Sequence, residues 1–186
     1  MQWREIEKSE PEVAPLRVFR GTEADILPDG SIDYGDKILS TFDFVIASVH
    51  SRFQMQRDEM TERILRALDD PHVTFLGHLT GRLLLSRDGY TMEFDKVFER
   101  AGERGVMIEI NGNPHRLDLD WRHVPRALSY GVRFAITPDA HSIREYGALM
   151  TGTWVARKGG LAAKEIFNTL SAEAVAEYFA ARKVRM

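Results

Sequence analysis

Residues 42–52 read FDFVIASVHSR. A short apolar, aromatic and β-branched run ends at a histidine, with Ser48 and Ser51 beside it. Such a run predicts a buried strand over Phe42–Val49, with His50 just past its carboxyl end. The same layout recurs in three other places. FRGTEADIL (19–27) carries Glu23, VTFLGHLTGR (73–82) carries His78, and FAITPDAHS (134–142) carries Asp139 and His141. Parallel βα units deliver all their strand ends to one mouth. Several strand ends that each carry a carboxylate or an imidazole therefore predict both a parallel α/β architecture and a shared metal site.

Working outward from these runs, strands are expected over Leu16–Gly21, Phe42–Val49, Val73–Gly77, Val106–Ile110 and Val132–Thr137. Helical patterns lie between them over Gln56–Leu68, Met92–Arg104 and Trp121–Tyr130. In the first, Met60, Ile64, Leu65 and Leu68 recur at helical spacing, and in the second Phe94, Val97, Phe98 and Ala101 do the same. A further helix is expected over Ala172–Lys183, with Ser171 as its N-cap. A spacing of about 30 residues per strand is that of a βα unit. Pro11 and Pro15 mark residues 1–15 as a helix end and a link, so the domain is expected over residues 16–186.

Composition narrows the chemistry. The chain has 186 residues, enough for one sizeable core, and a formal net charge of −3 that argues against a general electrostatic grip on nucleic acid. It has no cysteine, so a metal must be held by nitrogen and oxygen. The charged start MQWREIEKSEPEV has no apolar core of a signal peptide, and no apolar run approaches a membrane span. A cytoplasmic location without membrane partners is the resulting expectation.

Each candidate residue has a plain structural alternative. Glu23 can bridge cations or pair with an arginine. His50 and His78 can be ligands or satisfied core histidines. Arg82 can hold a phosphate in bidentate fashion or form a structural ion pair. Asn111 and Asn113, in INGNP (110–114), end a strand, where turn chemistry alone would favour them. Asp139 and His141 stand two apart and face the same way where the chain is extended. His72, His115 and His123 read as surface residues. The aspartates at 25, 29, 33 and 36 lack the glycine and glutamate positions of an EF-hand loop.

The stretches GTEADILPDGSIDY, FDFVIASVHSRF, TERILRAL, LGHLTGRLL, EINGNPHRLDL, ITPDAHS and KEIFNTLS run in an order that resembles the C-terminal portion of a PHP (polymerase and histidinol phosphatase) domain. The resemblance is greatest to the PHP domain attached to bacterial family X DNA polymerases. It implies a distorted (β/α)7 barrel and metal-dependent phosphoester hydrolysis, in that branch a 3′–5′ exonuclease. Carried over by motif, Glu23, His50, His78, Asp139 and His141 would be the metal ligands through which catalysis runs. Arg52, Arg82 and Asn111 would contact the phosphate ester or DNA 3′ end.

The family opens with an H-x-H strand, an S-D-G aspartate and a further histidine, and none of these precedes Glu23 here. Leu79 and Pro138 replace the family's usual proline and threonine. The expectation is an incomplete barrel lacking its first two βα units, with one well-formed position for zinc or manganese. A homo-oligomer or a partner would cover the exposed barrel edge, and hydrolysis would be impaired. A small-molecule phosphatase and an inactive remnant serving as an interaction module are the alternatives.

Overall fold

A computed structural model describes residues 2–184. Its centre is a sheet of five parallel strands in sequence order: β1 (Gly21–Asp25), β2 (Phe44–Ser48), β3 (Val73–Leu76), β4 (Met107–Asn111) and β5 (Phe134–Thr137). Helices alternate with them. After α1 (Gln2–Ser9) come α2 (Asp36–Leu39), α3 (Arg57–Asp69), α4 (Phe94–Arg104), α5 (Val124–Ser129), α6 (Ala148–Lys158) and α7 (Ala172–Lys183). The architecture is α/β and consistent with part of a barrel.

The first strand departs from the expected Leu16–Gly21. The Arg20 N–H donates to the Asp43 carboxylate at 2.9 Å and the Arg20 carbonyl accepts from Asp43 N at 2.7 Å. Pairing with β2 therefore begins only at Gly21, opposite Phe44. A Cβ on Gly21 would lie 2.2 Å from the Phe44 ring, so any larger residue here would push that ring out of its packing on Phe75 and Phe179. Glu23 consequently sits inside the strand, opposite Ile46, rather than after it. The sequence pattern also gave no sign of α6, whose Gly152 and two threonines are weak helix formers. The expected helix at Trp121–Tyr130 divides into a 3-10 turn, Trp121–His123, followed by α5. The final helix runs as expected, and Ser171 caps it by accepting from Ala174 N at 3.3 Å.

Alternation along the strands gives the sheet two different faces. Ala24, Val45, Ala47, Leu76, Ile108, Ile110, Phe134 and Ile136 share a core with Ile64, Leu68, Val97, Phe98, Val124 and Ala156 of the helices α3 to α6. Phe44, Phe75, Met107 and Ala135 form a second core with Phe167 and Phe179, flanked by Phe19 and Tyr178. The Phe44 and Phe179 rings stack at 5.3 Å, and Phe75 meets Phe167 edge-on at 5.6 Å. These aromatics plug the second face where the strands begin. Two to four residues further on, the same face turns polar: Glu23, Ser48, Glu109, Asn111 and Thr137. The site stands there.

The outer edge of β5 is covered by a side chain. Asn168 Oδ1 accepts from Ile136 N at 2.7 Å, and its Nδ2 donates to the Ile136 carbonyl at 2.9 Å.

Candidate metal centre

Glu23, His50 and His78 come together. Their ligand atoms all lie within 4.8 Å of one another. Glu23 Oε1 is 3.0 Å from His78 Nε2 and 3.4 Å from His50 Nε2. The rings of His50 and His78 meet edge-on with centroids 5.0 Å apart. On a tetrahedral ion with bonds of about 2.0–2.1 Å, neighbouring donors sit about 3.3–3.4 Å apart. The observed separations bracket that edge closely enough for the side chains to share a cation with little movement. Two imidazoles and one carboxylate, with His50 and Glu23 partly open to solvent, are a donor set suited to a catalytic ion that keeps a free position.

Several parts of the chain build this constellation. β1 places Glu23 and Asp25 on one face, two residues apart. Asp25 Oδ1 sits 2.5 Å from His50 Nδ1, which leaves Nε2 facing Glu23. The loops behind His50 and Asp25 are stitched by Arg63, which reaches from α3 and is 2 % exposed. Its guanidinium donates to the carbonyls of Leu27 at 2.9 Å, Ser51 at 2.8 Å and Ile26.

On the other side, Gly77 lets β3 pass close to the site. A Cβ there would lie 2.3 Å from Ser48 Oγ and 2.9 Å from Ile46 Cγ2. His78 follows with φ +25° and is 2 % exposed. The loop after it is pinned where Thr80 donates to Asp118 through both N–H (2.9 Å) and hydroxyl (2.8 Å).

The charges cooperate. Burial pushes the Glu23 carboxyl up, but hydrogen bonds with His50 and His78 outweigh it and hold the group well below the usual carboxylate range. The bond to Glu23 raises His50 to about 9, against its burial and helped by Asp25. Without a cation, the site therefore holds an imidazolium beside a carboxylate at neutral pH. A divalent ion would take the place of that proton.

Asp139 and His141 stand apart from the triad. Asp139, at φ +50°, is held by Arg116 Nε at 3.2 Å and by Asn111 Nδ2 at 3.1 Å. The His141 side chain is 79 % exposed, with Nδ1 3.1 Å from the carbonyl of its neighbour Asp139. Arg82 is engaged by protein groups. It donates to Asp120 Oδ2 at 2.6 Å and to the carbonyls of Arg116 (2.8 Å) and Leu117. Asn111 is fully buried. Arg52, exposed and at φ +56°, lines an open cleft with Pro28, Gln54, Met55 and Glu59. Of the histidines read as surface residues, His115 is exposed. His72 is buried beneath Asp36, 4.0 Å away, and His123 stacks on Phe94 at 4.2 Å.

Sequence reasoning missed Asp25, Arg116 and Glu109. Glu109 is 4 % exposed at the centre of β4, and burial pushes its carboxyl up. The signal was present in MIEIN (107–111), where two polar residues at strand spacing interrupt an apolar run.

No protein-family model matches the chain. Individual relatives do. It is 39 % identical over 170 residues to the DNA polymerase/3'-5' exonuclease PolX of Bacillus subtilis (strain 168), a match that takes in 91 % of this chain and 30 % of that protein. It is also 26 % identical over 181 residues to a probable phosphatase of Caldanaerobacter subterraneus subsp. tengcongensis, across 92 % of this chain and 68 % of the relative. A probable phosphatase of Photobacterium profundum is 32 % identical over 142 residues, 55 % of its length.

The chain is homologous to the PHP part of that polymerase and to probable phosphatases of the PHP family. It spans less than a third of the polymerase and about two thirds of the first phosphatase. Among its described residues, no helix is long and apolar enough to cross a membrane.

Proposed function

We propose that this chain is a divalent-cation-dependent phosphoesterase acting on phosphodiesters at DNA 3′ ends. The observation that carries the reading is the convergence of one carboxylate and two imidazoles from β1 and the ends of β2 and β3. The kinship with a polymerase named as a 3'-5' exonuclease supports the choice of substrate. Zinc or manganese suits the nitrogen and oxygen donors. When bound, such an ion would polarise a phosphoryl oxygen and activate water. Glu23 lends the site one negative charge, while neutral His50 and His78 add none, so the loaded centre stays attractive to a phosphate. Asp25 orients His50.

In this reading Asp139 and His141 form a further, weaker cation position. Arg52, exposed beside His50, meets the phosphate. Arg82 and Asn111 contribute by holding the surrounding loops. The outer edge of β1 is where a second copy or a partner would add, since Asn168 already covers that of β5.

The test is hydrolysis by protein loaded with Zn²⁺ or Mn²⁺, using 3′-labelled single-stranded DNA, a phosphodiester ester and a phosphomonoester. Cation-dependent release of mononucleotides, lost in His50→Ala and His78→Ala, is expected. Cleavage of the monoester alone would move the reading to a small-molecule phosphatase, as the phosphatase relatives would suggest. A fully loaded protein that cleaves nothing would leave an interaction module.

A further inference from the structure

One buried carboxylate ties together the ends of three strands. Glu109 lies near the centre of β4 and is 4 % exposed. Its Oε2 accepts the backbone N–H of His78, just past β3, at 2.5 Å. The same oxygen accepts from Asn111 Nδ2 at 3.2 Å, and that amide also donates to Asp139 Oδ2 at 3.1 Å. The other oxygen, Oε1, meets the hydroxyl of Thr137 at the end of β5. Glu109 is not one of the three clustered ligand residues.

We propose that Glu109 is a positioning residue for the cation centre, fixing the backbone of His78 and, through Asn111, the carboxylate of Asp139. The inference rests on the triad being a cation site.

The physical argument concerns the conformation of His78. A φ of +25° is rare for a residue with a side chain and persists only where the surroundings hold it. The bond from its N–H to Glu109 is such a hold, and it aims the imidazole at Glu23. Asn111 makes the second link. Its Nδ2 spans the two carboxylates, while its Oδ1 accepts from Asn113 N at 3.0 Å and so fixes the direction of the amide. Shifting Glu109 would release His78 and Asp139 together. Groups that orient metal ligands typically matter by about 10- to 100-fold in affinity.

Length rather than charge should be what counts. A glutamine at 109 can keep its carbonyl toward His78 and Asn111 and turn its amide to the Thr137 hydroxyl, which then accepts. An aspartate keeps the charge but is one methylene too short to serve both strand ends.

The experiment measures Zn²⁺ affinity by chelator competition on folded protein, together with hydrogen exchange of the His78 amide in the cation-free state. Glu109→Gln should bind as the wild type and keep the amide protected. Glu109→Asp and Glu109→Ala should bind about tenfold or more weakly and expose it. Should Glu109→Ala fail to fold, the Asp and Gln variants carry the test. Loss of binding in Glu109→Gln but not in Glu109→Asp would mean that the charge itself is needed and would overturn the proposal. So would wild-type affinity in Glu109→Asp. His78→Ala separates the premise from the inference. If His78→Ala binds like the wild type, the triad reading has failed. If only His78→Ala loses the ion, the role of Glu109 has failed.

Discussion

His50 Nδ1 lies 2.5 Å from Asp25 Oδ1, and that contact decides which nitrogen His50 turns toward Glu23. A carboxylate behind an imidazole fixes its tautomer and increases its basicity as a ligand. Replacing Asp25 with alanine frees the ring to rotate. Asp25→Ala should weaken cation affinity by about tenfold or more while leaving thermal stability nearly unchanged. Titration calorimetry with Zn²⁺ checks the first expectation and a melting curve the second.

Gly77, the residue just past β3, lies against Ser48 and Glu23, and its substitution tests how tightly that segment and the site are joined. In Gly77→Ala the new methyl must displace Ser48 Oγ from 2.3 Å, next to the triad. Overpacking of this kind costs about 1–3 kcal/mol. Both chemical stability and cation retention should fall. If urea unfolding shows no loss of stability, the close approach is not as the structure has it.

Asp120 supplies one part of the dependence of stability on pH. Hydrogen bonds from Arg122, opposed by burial and reinforced by Arg82, hold its carboxyl well below the usual range. A carboxyl lowered on folding stabilises the native state above its unfolded pKa, about 3.9, and loses that contribution as the pH falls below it. Asp120→Asn should therefore cost about 2 kcal/mol at pH 7. The difference from wild type should shrink steadily below about pH 4. Denaturant titrations at pH 7, 5 and 3 would show it. A gap that stays constant across that range would contradict the assignment.

Phe179 belongs to the plug at the opposite end of the strands. It contacts the rings of Phe19, Phe44, Phe167 and Tyr178 and is 4 % exposed. Phe179→Ala should cost about 3–5 kcal/mol of stability. Zn²⁺ affinity measured well below the melting temperature should remain that of the wild type, because the triad lies at the other end of the sheet. A large loss of affinity without partial unfolding would show that the two ends are coupled.

Much of this was legible in the sequence. Short apolar runs, three of them followed by histidine or acid and one by asparagine, located four strands to within about two residues, a margin usual for such boundaries. They also identified the three residues that converge. The first strand was misplaced because Leu16–Gly21 has the right composition but no partner. Only the exchange of hydrogen bonds between Arg20 and Asp43 decides where pairing starts. The structural alternative for Arg82 could not be judged beforehand, since its partners are carbonyls 34 and 35 residues away, besides Asp120. Glu109 was passed over despite the pattern of MIEIN (107–111). An acid in a strand reads as surface until neighbouring strands are seen to cover it.

The sheet face that bears both plug and site also constrains how the protein can change. Met107 packs in the aromatic core, and Glu109 faces the centre only two positions later. Inserting or deleting one residue early in β4 would swap the two faces of the strand. The carboxylate would then be driven among Ile64, Val97 and Phe98, and an isoleucine would stand where His78 needs an acceptor. Variation in this chain should accordingly keep the spacing inside its strands fixed and confine insertions to the loops, even where the residues themselves drift.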